Sequence, residues 1–421
     1  MEEEYRNILN AIRSGNVPAH GASSICMGRD KEIAEFQRLL DDVSDGKAIV
    51  KFINGEFGAG KSFFLKVIED IAYEQNFVVS WITIGPQLPL NKIDVVYRNI
   101  AKTLRCKTGT SLEHIIKRWI THLQMVTMEL ANDKSEERKI LLELVHDELE
   151  ETRNYSSAFA RAIENYAKLL YQNNMEGCSA VIAWLRGDEN IPHTLKQKFG
   201  IKGEINKESA LDFLGALSIF IKSIGYSGLV ILIDEVEYVM KLRTQDMRDA
   251  AYNYMRDIYD NCNLGKFQSS LFIFAGTNDL FEDSRGISSY EALDDRIKHV
   301  LDTDLIDMRT PVVKLQGFDK NEIIKFSQKI LEMHSEVYNW DAAERFNFNL
   351  IDQIAEKHVS DASWTGGRVT ARIFIRKFIS LLDTVQQNQE VFNTPEDIQK
   401  EFDKKSNEEF AERYDDFDDD F

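Results

Sequence analysis

Between Lys51 and Ile68 the chain reads KFINGEFGAGKSFFLKVI. Gly55, Gly60, Lys61 and Ser62 fall at the spacing G-x-x-x-x-G-K-[ST], with an apolar strand pattern before them and an apolar helix pattern after. Glycines at such a turn let backbone N–H groups close on phosphate oxygens, and the following helix start adds partial positive charge. Lys61 would reach the β- and γ-phosphates of a nucleoside triphosphate and Ser62 would ligate Mg²⁺. Gly58, Ala59 and Phe63 complete the candidate cradle. A second group is Asp234 with Glu235, closing the β-branched run LVILIDE. An aspartate there can hold Mg²⁺, and the glutamate can orient or deprotonate an attacking water. Taken alone the pair also fits an acidic loop cap; beside a phosphate loop it reads as hydrolytic. Glu237 is its weaker neighbour.

Three further sets follow. FAGTND ends a third apolar run, so Thr277 or Asn278 would lie beside the Mg²⁺ site and position water or sense the γ-phosphate, unless they only make a turn. Arg296, in LDDRIKHV, and Arg285, in EDSRGISS, are candidates to neutralise transition-state charge from a neighbouring subunit, against an ordinary surface ion pair. Arg368 and Arg372, in TGGRVTAR, lie four apart on one helix face and would reach bound phosphates or, alternatively, pair with carboxylates.

The elements that must position these groups alternate. AIVKFI, FVVSWITI, LVILI and SLFIFAG read as buried strands separated by helical patterns, which predicts an α/β fold with a doubly wound parallel sheet. Residues 92–222 are mostly helical and too long for one crossover, so a large helical insert is expected. The expected organisation is an N-terminal helix and loop (1–27), a phosphate-loop domain (28–315), an all-helical lid (316–386) and an acidic tail (387–421). The tail closes on YDDFDDDF, which would dock a protein partner, occupy a basic groove of its own chain, or only keep the chain in solution.

Net charge is −19, a field that repels polyanions, so DNA contact would need a local patch or a partner. LRCKTGTSLEHIIKRW, 104–119, is one basic stretch, otherwise a solvated helix face. The apolar runs are too short to span a bilayer and the acidic N-terminus lacks a secretory pattern, so a cytoplasmic location is expected. Four scattered cysteines, Cys26, Cys106, Cys178 and Cys262, suggest neither a zinc site nor a disulfide framework.

Taken in order, GRDKEIAEFQRLL, GEFGAGKS, LVILIDEVE, FAGTNDL, DDRI and GGRVTAR resemble the AAA+ ATPases of the origin-recognition and initiator-loader type. IRSGNVPAHGASSICMGRDKEI, AVIAWLRGDENIP and SALDFLGALSIFIKSIGYSGLVILIDEVE are similar to the ATP-binding proteins of BREX systems, bacterial phage-exclusion loci. The resemblance covers roughly Asn10 to Leu382. It implies an ATPase of antiviral defence that assembles with itself or with partner proteins acting on DNA. By position it implies a nucleotide site of Gly55, Gly58, Gly60, Lys61 and Ser62, Asp234 and Glu235 as the Mg²⁺ and water residues, Arg296 as arginine finger and Arg368 or Arg372 as second sensor. Initiator-type relatives carry a winged helix after the lid, for which too few residues follow Leu382. A nucleotide-controlled switch with very slow turnover is the alternative. A metabolic kinase is disfavoured, since phosphate transfer to a hydroxyl needs water excluded rather than activated.

Overall fold

Five short runs of apolar residues pair into one sheet: β1 (Ala48–Asn54), β2 (Val78–Thr83), β3 (Leu229–Asp234), β4 (Ser270–Gly276) and β5 (Val312–Lys314). Their order is β2-β3-β4-β1-β5, and the pairs β1–β4, β3–β4 and β2–β3 are all parallel. All residues of β3 and β4 are buried, as expected of strands covered on both faces, which is why they read as unbroken apolar runs rather than alternating ones. This computed structural model describes residues 2–200, 203–298, 307–361 and 371–404. The α/β, parallel-sheet expectation is met. The described α-helices between β2 and β3 run from Ile93–Thr103 to Ala210–Ser223.

The chain forms two compact units, 34–54 with 71–313, and 1–33 with 55–70 and 314–421. The sheet unit is organised around the inward faces of the strands and the helices between them, with Phe52 stacked on Phe274 at 5.3 Å and Trp119 edge-on to Phe220. Its one buried cation on β1, Lys51, is 3% exposed. It donates to the carbonyls of Met308 (2.8 Å) and Thr310 (2.7 Å) and faces Glu35 at 3.6 Å. Burial pulls its ammonium below the usual lysine range, with Glu35 opposing that shift.

The second unit is helical. Helices Glu2–Arg13, Lys320–Tyr338, Phe348–Asp361 and Ala371–Gln387 share one core that includes Ile8, Ile330, Ile354 and Phe378. Helix Lys320–Tyr338 starts with a reciprocal capping box between Asp319 and Glu322. Arg13 binds Asp383 with two hydrogen bonds, 2.7 and 2.9 Å, and gives a third to Tyr338, while His334 approaches Asp383 at 3.2 Å. Although burial pushes the Asp383 carboxyl up, the hydrogen bonds from His334 and Arg13 prevail and hold it below the usual range.

The stretch expected to begin an acidic tail at 387 contributes to this core instead: Phe392, Ile398 and Phe402 are buried, and 395–404 is helical. Thr394 and Asp397 cap that helix reciprocally through side chain and backbone. The acidic YDDFDDDF lies outside the described residues, as do Gly366, Gly367 and Arg368.

His358 sits in this core against Phe374 (5.2 Å between ring centres) and Phe402, with Nε2 lacking a hydrogen-bond partner among the described residues. Burial, reinforced by the Lys377 charge, pushes its pKa down to about 4. The unfolded chain takes up that proton near pH 6.5 and the folded chain resists it. Stability contributed above pH 6.5 is therefore lost as pH falls toward 4, by up to about 3 kcal/mol. Thermal melts at pH 7 and pH 5 should show wild type losing more stability than His358→Leu; equal losses would remove His358 from the acid sensitivity.

Candidate nucleotide-binding site

β1 runs without interruption into the glycine loop. Gly58 and Gly60 have φ of +81° and +92°, the left-handed region in which a side chain is strained. A Cβ at Gly55 would stand 3.1 Å from the Leu315 carbonyl oxygen, so that position is tight for steric reasons. Ala59 N–H donates to Glu56 (3.1 Å), and Phe64 N–H to Gly60 (2.8 Å), which begins helix Lys61–Glu74. The first N–H groups of a helix have no intrahelical acceptor, and here they follow directly on the loop. Lys61 is 9% exposed, and its Nζ donates to the carbonyls of Gly55 (2.8 Å) and Glu56 (3.1 Å). The ammonium is thus folded over the loop by the loop's own carbonyls. Phe63 packs on the helical unit's core.

Phe57 points out of this loop, 75% exposed, with the Arg372 guanidinium 6.0 Å from its ring centre. Arg372 follows the first residue of helix Ala371–Gln387. Of the arginine pair chosen from sequence, this is the one found against the phosphate loop; Arg368 lies outside the described residues.

In the sheet unit, Asp234 ends β3 and is 5% exposed, accepting the Glu235 N–H on Oδ1 at 2.9 Å. Glu235 takes the left-handed conformation, φ 56° and ψ 39°, and is exposed. The chain therefore turns sharply after the buried aspartate and leaves the next carboxylate at the surface. A non-glycine residue held there costs about 1–2 kcal/mol, and such strain clusters at functional sites. After the neighbouring strand, Thr277 stands at the N-cap position of the short helix Asn278–Glu282 without a side-chain capping bond, and Asn278 Oδ1 is buried without a partner among the described residues. A Cβ at Gly276 would stand 3.3 Å from Glu237 Oε2, which puts that third carboxylate against the end of β4.

Asn54, the last residue of β1 and paired in register with Gly276, was not singled out from the sequence. It is 6% exposed and its Oδ1 also lacks a partner among the described residues. Two amide oxygens that lack a partner among the described residues, and a buried aspartate, stand at or just past the ends of neighbouring strands, an oxygen-rich set that complements a hydrated cation or an ordered water. A polar residue closing an apolar strand just before the glycine turn was the available signal.

The other candidates stand elsewhere. Arg296 makes two hydrogen bonds to Asp260, 2.6 and 2.9 Å, and one to the Ala292 carbonyl; Asp260 is a partner the sequence reading missed. Arg285 is exposed, 3.9 Å from Asp283. The basic stretch enters helix Leu112–Leu130 only from Leu112 onward, and there His114, Lys117, Arg118, His122 and Met125 line a groove of about 370 Å³. All four cysteines are free, three of them buried. No helix among the described residues is long and apolar enough to cross a membrane.

A parallel α/β sheet whose first strand feeds a glycine turn, lysine and serine defines a protein built to hold phosphate groups. The family of the BREX system ATP-binding protein BrxC/D matches residues 1–401, and the chain belongs to that family. Its members are ATP-binding proteins with a role in anti-phage defence. No curated protein and no solved structure matches the chain.

Proposed function

We propose that the chain is an AAA+ ATPase that hydrolyses ATP at sites shared between subunits, and that the resulting movement acts on partner proteins of the defence system and on DNA. The observation that carries this reading is the edge where the strands end. Asp234 closes β3, Thr277 and Asn278 follow β4, and β1, the next strand over, runs straight into the glycine loop. In this reading Gly55, Gly58, Ala59, Gly60, Lys61, Ser62 and Phe63 hold the triphosphate. Ser62 and Asp234 would hold Mg²⁺, which neutralises charge on the phosphates. Glu235 directs water at the γ-phosphate, with Asn278 or Thr277 beside it. The helices between β2 and β3 form the insert, and the helical unit supplies the lid. Lys117 and Arg118 offer a local basic patch on an otherwise acidic chain.

Arg296 serves the neighbouring subunit in this scheme. Its bond to Asp260 does not stand in the way, because both side chains are about one-third exposed and such pairs contribute at most about 1 kcal/mol. Mixing two inactive variants tests the sharing. Arg296→Ala keeps its own Glu235, and Glu235→Gln keeps its own Arg296, so a mixed assembly contains some intact sites. Phosphate release in ATP and Mg²⁺ should recover on mixing and be absent from either variant alone. No recovery, with assembly intact by size exclusion, overturns the shared site. Nucleotide-driven assembly with negligible release by wild type, with or without single-stranded or duplex DNA, makes the chain a switch instead.

A further inference from the structure

The glycine loop works through its backbone, so the side chain at position 57 is not needed to cradle phosphate. A lone exposed phenylalanine would by itself call for no explanation. This one has a partner: the Arg372 guanidinium lies 6.0 Å from the ring centre, within reach of cation–π attraction. Arg372 is held from another side as well. Gly15, just past helix Glu2–Arg13, has φ +72°, and a Cβ there would stand 3.4 Å from Arg372 Nε and Nη2 and 3.5 Å from Arg376 Cδ. The guanidinium therefore lies along bare backbone at Gly15. Three segments, the phosphate loop, the end of the first helix and the start of helix Ala371–Gln387, meet on one flexible cation, all within the helical unit.

We propose that Phe57 is the positioning residue for Arg372: its ring, carried by the phosphate loop, holds the guanidinium at the loop so that helix Ala371–Gln387 senses nucleotide through a side chain already in place. This rests on the ATP-site reading above. An arginine loses considerable rotamer freedom when fixed, and an arginine held before ligand arrives has already incurred that cost. An aromatic face does this for a guanidinium because it attracts the cation without neutralising it, leaving the charge available to phosphate. A carboxylate at the same place would compete with the nucleotide.

The test is a double-mutant cycle on binding of a fluorescent ATP analogue with Mg²⁺. Phe57→Ala should weaken binding about two- to five-fold, the size of an exposed cation–π contact. Phe57→Leu, which keeps apolar bulk, should lose as much, and Phe57→Trp should retain wild-type affinity. In an Arg372→Ala background Phe57→Ala should cost nothing further. Unchanged binding by Phe57→Ala, or a loss that adds in full to that of Arg372→Ala, overturns the proposal. If Lys61→Ala binds the analogue as tightly as wild type, it is the ATP-site reading that has failed. The Phe57–Arg372 coupling is then read from nucleotide-free thermal melts of the same variants, where additive shifts refute it.

Discussion

Lys61→Ala is expected to lower ATP affinity by about a hundredfold or more while leaving the fold intact. Lys61 is buried and already bonded to the carbonyls of Gly55 and Glu56, so its ammonium is desolvated before any ligand arrives. Removing one member of a buried charge pair typically costs about 3–5 kcal/mol, and 2.7 kcal/mol already corresponds to a hundredfold. The effect on folding is smaller, since the carbonyls of Gly55 and Glu56 that lose a donor lie in a loop that can admit water. Calorimetric titration with ATP and Mg²⁺ measures the affinity. Thermal melts give an independent reading: nucleotide at about a hundred times Kd stabilises a binding protein by about 2.7 kcal/mol, an increment the variant should lack. An equal ATP-induced shift in both proteins would mean that nucleotide binds elsewhere.

Glu235→Gln should separate binding from turnover. The amide has the shape of the acid, so ATP affinity should stay within about two-fold. It cannot accept a proton from water, and loss of a general base lowers rates by about 10²–10⁴. Single-turnover hydrolysis compared with equilibrium binding gives both numbers, and an unaltered hydrolysis rate would end the assignment. The backbone adds a second expectation. Asparagine tolerates the left-handed region better than glutamate, so Glu235→Asn should be at least as stable as wild type, yet equally inactive. A residue that makes the fold less comfortable than a simple replacement would is more readily explained by chemistry than by architecture.

The parts of this molecule that were legible in the sequence are those whose physics is local. A glycine turn between a strand and a helix announces itself through spacing, and β3 and β4 announce themselves as unbroken apolar runs because both their faces are covered. The helix at 395–404 was equally local and was overlooked. Thr394, Pro395 and Asp397 spell a capped helix start with proline in the first turn, and Ile398 and Phe402 are one turn apart, but the surrounding acidity hid them. Asn54, Asp260 and Phe57 were out of reach for a different reason. Each matters through a partner far off in sequence or through the lack of one. Asn54 pairs with Gly276, Asp260 with Arg296, and Phe57 with Arg372, and no periodicity encodes such meetings.

The bond between Arg13 and Asp383 joins residues 370 positions apart, and the helical unit is assembled from the two ends of the chain together with the phosphate loop. That arrangement fixes an order of events during synthesis. Residues 34–313 contain the sheet and most of its core, and can begin to condense as they emerge from the ribosome. Helix Glu2–Arg13 must wait for its partners in Lys320–Tyr338 and Ala371–Gln387, across one of the longest loop closures the chain can make. Phosphate-loop residues share that wait, because Phe63 packs in the late-forming core. A chain interrupted before helix Ala371–Gln387 is thus left with a sheet but without the helical core against which Phe63, beside the glycine loop, packs.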